Sequence, residues 1–152
     1  MYSPQPGEPL TRRLALVGKE LRESFQAMLA GRGCTIPTWA VLRSAHQSPG
    51  LSQVRLAGLI GIEGPTLARH LDRLCAEGLV ERRRDDQDRR VVRVQLTPAG
   101  ERRWDELVHD VDAFEQKLTR RLTEEQRVAL DAALLQIHEA LEDSDAPAHA
   151  DR

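Results

Sequence analysis

Apolar residues recur at intervals of three or four along most of the chain and at intervals of two in one short stretch, a pattern that predicts helices with a single hairpin. Leu14, Val17, Leu21, Phe25 and Met28 place one apolar stripe on a first helix of about twenty residues, which Gly31 and Gly33 end. Pro37 suits the first turn of a short second helix carrying Trp39, Leu42, Ala45 and His46, closed by Ser48, Pro49 and Gly50. Ser52 is a good N-cap for a third, with Val54, Leu56, Ala57, Leu59 and Ile60. After Gly61 a fourth helix runs from Glu63 to Ala76 with Leu67, Leu71 and Leu74 inward, and Gly78 closes it.

The period then changes. Leu79, Val80 and Glu81 lead into arginines 82 to 84, and Val92, Val94 and Leu96 alternate with Arg93 and Gln95, so two short strands flank a polar segment from Arg84 to Arg90. Thr97 caps the next helix, with Pro98 at its first position and Trp104, Leu107, Val108, Val111, Phe114 and Leu118 on its apolar side. Thr123 and Gln126 form a capping box that opens a last helix with Leu130, Leu134, Ile137 and Leu141. Residues 1–9 and 143–152 have the Pro-containing, small and polar composition expected of mobile tails. No internal repeat is present.

Residues 53 to 74, QVRLAGLIGIEGPTLARHLDRL, have the layout of a helix-turn-helix. Small Ala57 lies where two helices cross closely, Gly61 falls in the turn, and Ile62 and Leu67 anchor the second helix on the first. Such a second helix enters the major groove by its N-terminal end, which would present Gly64, Pro65, Thr66, Arg69, His70 and Arg73. Arg69 can fork onto a guanine, while Thr66 and the free amides of the helix can take a phosphate or a base edge. An ordinary helical corner shares this spacing. The hairpin that follows tips the balance, because residues 82–93 hold six arginines and three aspartates. Arg82, Arg83 and Arg84 would face the DNA backbone, and Arg90 at the tip could enter a minor groove, held by a paired hydrogen bond that it donates to Asp88.

Composition bounds the alternatives. With 152 residues there is one domain with an extension, and 40% apolar against 30% charged residues describes a globular chain. Five aromatic residues, Tyr2, Phe25, Trp39, Trp104 and Phe114, are too few for a single-strand stacking platform. The longest apolar runs are about four residues, short of the roughly 20 of a membrane helix. Because the N-terminus MYSPQPGEPL also lacks the regions of a signal peptide, a cytoplasmic protein is expected. The net charge of −2 argues against a polyanion until it is divided: residues 37–103 hold twelve arginines and eight acids, +4, and the rest, ten bases and sixteen acids, sums to −6. Arginine makes up 20 of the 22 bases, which favours bidentate contacts. No phosphate-cradling glycine loop, His-Glu-x-x-His or Gly-x-Ser-x-Gly is present, so an enzyme has no constellation to stand on. Neither a metal nor another cofactor is expected.

Asp88-Arg89-Arg90 followed by Leu96-Thr97-Pro98-Ala99-Gly100 resembles the wing signature of the MarR family of bacterial winged-helix regulators, and residues 60–83 resemble the recognition helix and first wing strand of its SlyA-type branch. The resemblance covers about residues 10–142. It implies a mainly α fold with a small β-hairpin wing: a winged helix-turn-helix at 37–103 and a helical dimerisation region at 10–33 and 104–142. It also implies a homodimer on a pseudo-palindromic double-stranded operator, a repressor released by a small phenolic or aromatic carboxylate or by oxidation. The amphipathic first and last two helices separately call for a buried partner.

Trp39, Arg43 and His46 share one face of the second helix, and an apolar ring beside a guanidinium and an imidazole would suit a small aromatic acid, with Arg13 and Trp104 as weaker additions. The plainer reading makes Trp39 core and His46 a loop partner. Cys34, between glycine- and proline-containing loops with Arg32 nearby, is expected to be exposed with a lowered pKa, the basis of an alternative redox-sensing reading. The family's peroxide-sensing members carry their cysteine near the start of the first helix, where this chain has none. Cys75 is expected in the core. A winged helix that binds protein instead of DNA is the other alternative, favoured by the acidic wing residues and opposed by Arg69, Arg84 and Arg90.

Overall fold

The computed structural model describes residues 7–145. The expected tails therefore lie mostly outside the described residues. Six helices and three strands follow in the order α1 (Leu10–Ala30), α2 (Ile36–Gln47), β1 (Leu51–Ser52), α3 (Gln53–Ile60), α4 (Gly64–Ala76), β2 (Val80–Arg84), β3 (Val92–Leu96), α5 (Pro98–Thr119) and α6 (Glu124–Asp145). This is the mainly α, winged helix-turn-helix class that the sequence predicts.

Three caps are ones the sequence names, and Thr35, which caps α2, is one it does not. Ser52 Oγ accepts the Arg55 amide at 3.3 Å. Thr97 Oγ1 accepts the Gly100 amide at 3.1 Å. Thr123 and Gln126 exchange bonds, Gln126 Oε1 taking the Thr123 amide at 2.9 Å and Thr123 Oγ1 the Gln126 amide at 3.2 Å. Gly61 sits left-handed at φ 72°, which turns the chain from α3 into α4 at no steric cost.

The sheet has three strands, not two: β1 pairs antiparallel with β3 (Leu51 opposite Val94, Ser52 opposite Arg93), and β3 pairs with β2 from Val80–Leu96 to Arg84–Val92. A two-residue strand has no period to read, and it exists because the chain entering α3 passes the free edge of β3.

The chain divides into two compact units, one ending at Val111 and the other beginning at Asp112. In the first, Val41, Leu56, Leu67, Leu71, Leu74, Val80 and Val94 form the core of the winged helix. Beside them Leu29, Cys34, Trp39, Leu42 and Leu107 form a second cluster. Val17 and Leu21, expected on the inner stripe of α1, stay exposed, and Leu29 is its one buried residue.

Gly100 explains the Leu-Thr-x-x-Gly run. A Cβ there would lie 2.0 Å from the Leu79 carbonyl oxygen, which also accepts the Thr97 amide at 3.1 Å. Only glycine lets the first turn of α5 approach the strand entry so closely.

In the second unit α6 has no buried residue; Val128, Leu130, Leu134, Leu135 and Leu141 are all exposed. No helix among the described residues is long and apolar enough to cross a membrane.

Candidate nucleic-acid interface

The buried stripe Leu67, Leu71, Leu74 fixes which face of α4 points outward. With about 100° per residue, Arg69 projects opposite that stripe, Pro65 and Thr66 flank it at the N-terminal end, and His70 lies nearer the core edge. Pro65 and Arg69 are exposed and Thr66 and His70 half-buried. Glu63 provides no side-chain cap to α4, so the first-turn amides of the helix remain available to an acceptor.

The wing separates its six arginines into two groups. Arg82 is paired with Asp72 of α4, Arg83 with Glu81 at 3.0 Å, and Arg93 with Asp85. Arg83 and Arg93 stand directly opposite in the ladder, a like-charge pair that these two carboxylates neutralise. The side chains of Arg84, Arg89 and Arg90 have no partner among the described residues, and neither have those of Arg55 on α3 and Arg69 on α4. Of the expected backbone-facing trio, Arg84 alone has a side chain without a carboxylate partner; Arg82 and Arg83 are exposed and ion-paired with Asp72 and Glu81.

The aspartates shape the loop. Asp85 Oδ1 accepts the amides of Gln87 at 2.9 Å and Asp88 at 3.0 Å. These bonds, with the Arg93 guanidinium, hold its carboxyl down to about 2, the Asp88 amide contributing most. Arg93 also donates to the Gly50 carbonyl at 3.0 Å, tying the wing to the turn before β1. The pairing expected between Asp88 and the Arg90 guanidinium is made instead with the Arg90 backbone amide, at 2.9 Å. This leaves the guanidinium free. Arg90, Val91 and Val92 then border a groove closed by Ser52, Gln53 and Val54 at the start of α3 and Gly64 at the start of α4. Asp85, Arg89 and Arg55 were missed by sequence reasoning. Asp85 two to three residues before a polar turn is the Asx-turn signal that could have found the first.

Arg73 behaves differently from the rest of the expected set. Its Nη2 donates to Thr38 Oγ1 on α2 at 2.8 Å, and its Nε lies 3.6 Å from Glu77.

On the proposed ligand face, Trp39 stacks on Trp104 with centroids 4.8 Å apart, and His46 stacks on Trp104 at 4.7 Å. His46 Nδ1 lies 2.8 Å from Glu101 Oε2. Trp39 is only 7% exposed, so its ring belongs to the core. Arg43 has no partner among the described residues and borders a shallow depression with Trp39, Ala40, Ser44, Gln47, Ser48, Leu59 and Ile60. His46, Trp104 and Arg13 do not line it. The Nε of Arg13 is buried without a hydrogen bond.

Cys34 is 4% exposed, which corrects the expectation of an accessible, low-pKa thiol. Burial pushes its thiol up, against the opposing pull of Arg103, and Arg32 is engaged by Asp110 at 2.7 Å. Among the described residues no three His, Cys, Asp or Glu side chains are grouped to hold a metal ion.

The MarR family model matches residues 34–92, the winged helix with its wing loop. Among solved structures, the fold is similar to apo MarR from E. coli, at 27% identity over 88% of this chain and 98% of that one, with a TM-score of 0.73. A mutant MarR from E. coli complexed with operator DNA is 28% identical over 85% of this chain and 93% of that one, with a TM-score of 0.76. The transcriptional repressor CouR bound to a 23-mer DNA duplex is 28% identical over 90% and 99%, with a TM-score of 0.79.

Proposed function

We propose that the chain is a MarR-type winged-helix regulator, a cytoplasmic repressor that binds a pseudo-palindromic operator as a homodimer, a reading supported by the family model over residues 34–92 and by the similarity to DNA-bound structures. The observation that carries this reading is the division of the arginines. Carboxylates within the protein pair with Arg82, Arg83 and Arg93, while the side chains of Arg69 on α4 and Arg84, Arg89 and Arg90 on the wing have no partner among the described residues, and Arg90 borders the start of α4. Desolvating unpaired guanidiniums against phosphate is favourable; desolvating paired ones is not.

In this mechanism Pro65 and Thr66 bring the N-terminal end of α4 to the major groove. Arg69 reads a guanine edge, with His70 alongside. Arg90 enters the minor groove, Asp88 and Asp85 fixing the loop that carries it. Arg84 and Arg89 meet phosphates. Dimerisation covers the apolar residues that α6 leaves exposed, and a two-fold axis sets two recognition helices about 34 Å apart, one turn of DNA.

Anisotropy titration of the duplex flanking the chain's own gene, over a salt series, tests the reading. Affinity should fall with a log–log slope near −0.9 per phosphate neutralised. Arg90→Ala should weaken binding by about 1–3 kcal/mol. A flat salt response, or equal affinity for every sequence, would refute operator binding.

We also propose an effector, a small aromatic carboxylate, held by the unpaired Arg43 in its depression. Trp104 stacks on one face of Trp39, which still borders the depression beside Arg43. Salicylate should raise the melting temperature and lower operator affinity, and Arg43→Ala should abolish both effects.

A further inference from the structure

Thr38 is the one buried polar or charged residue among the described residues, at 7% exposure, and its hydroxyl oxygen carries two hydrogen bonds. Thr38 Oγ1 receives Arg73 Nη2 at 2.8 Å from α4 and lies 3.0 Å from Thr35 Oγ1, the cap of α2 whose oxygen also accepts the Thr38 amide. A second tie leaves α4 from the adjacent residue, where Asp72 takes the guanidinium of Arg82 on β2. Residues 72 and 73 diverge by about 100° around the helix, on either side of the direction in which Arg69 points. One tie runs to α2 and the other to the wing.

Two side-chain tethers of opposite lateral sense add directional resistance to rotation of α4 about its axis, beyond the packing of the leucine stripe that sets its outward face. Rotation is the motion that would swing Arg69 off a base edge. We propose that Arg73 is a positioning residue: it acts on DNA recognition through Thr38, by fixing the azimuth of the recognition helix, and does not itself touch DNA. This rests on the DNA-binding reading above and assigns Arg73 a different part in it from the one its place on the helix face suggests.

Thr38→Val removes the acceptor and keeps the volume, and Thr38→Ser restores the hydroxyl. Thr38→Val should weaken operator binding roughly three- to tenfold with the salt slope unchanged, and Thr38→Ser should bind as wild type. Arg73→Gln should lose a similar factor, again at unchanged slope, and the double variant should lose no more than the single ones. In the free protein, amide hydrogen exchange over residues 64–70 should accelerate in Thr38→Val and not in Thr38→Ser.

A salt slope shallower by about 0.9 in Arg73→Gln would make Arg73 a phosphate contact and overturn the proposal. So would wild-type binding by Thr38→Val, or unchanged exchange in it. If the wild-type chain bound no duplex, the DNA-binding reading would fall, while the exchange measurement would still decide whether the tether holds α4.

Discussion

The winged helix and α6 are built from similar residues to opposite ends. In the winged helix Leu56, Leu67, Leu71 and Leu74 are fully buried, and its buried polar side chain, Thr38 under α4, is hydrogen-bonded. In α6 leucines at comparable spacing, Leu130, Leu134 and Leu141, stay exposed along 22 residues with no buried position. Helical periodicity is therefore a statement about a face and not about what covers it. The winged helix supplies its own cover from α2, α3 and the sheet; α6 carries an apolar face that its own unit leaves exposed among the described residues.

The sharpest way to break this contrast is to cut one leucine from each region. Leu71→Ala should destabilise by about 2–5 kcal/mol at every protein concentration, read as a lowered urea midpoint with unchanged m-value. Leu134→Asp should act through assembly: the wild-type unfolding midpoint should rise with protein concentration, and the variant should lose that dependence and sediment as a monomer. A wild-type midpoint independent of concentration would remove the dimer.

Gly100→Ala presses a methyl onto the Leu79 backbone and should cost about 3 kcal/mol in the same denaturation experiment. A loss below about 0.5 kcal/mol would show that α5 can slide away from the strand entry without cost.

The smallest effect concerns the wing loop. Asp85 titrates near 2 against an ordinary 3.8, so the folded value lies below the unfolded one. Its contribution is present above about pH 4 and is lost as pH falls through about 2. The side-chain carbonyl resonance of Asp85 should titrate with a midpoint near 2. A midpoint at 3.8 would mean that the amides of Gln87 and Asp88 do not hold it.

Much of the fold is legible in the residues because its signals are local. Ser52, Thr97 and the Thr123–Gln126 box cap the helices they precede, Gly61 makes the turn it is placed for, and Leu67, Leu71 and Leu74 face inward as their spacing requires. The candidate interface is legible only in part. Arg69 and Arg90 project outward as their positions suggest, yet nothing in a run of six arginines and three aspartates says which charges cancel. That is settled by the β2–β3 register, which sets Arg83 against Arg93, and by the approach of α4, which brings Asp72 to Arg82.

Sequence alone thus determined the order and caps of the helices, the hairpin and the basic middle of the chain, since each depends on residues within a few positions of one another. Tertiary structure alone decided what lies far apart in the chain. It pairs Leu51 with Val94, buries Cys34, fills the face of Trp39 with Trp104, and draws Arg73 onto Thr38. Long, flexible side chains such as arginine find their partners only after the backbone has placed the acceptors, and no spacing rule reaches across 35 residues to name them.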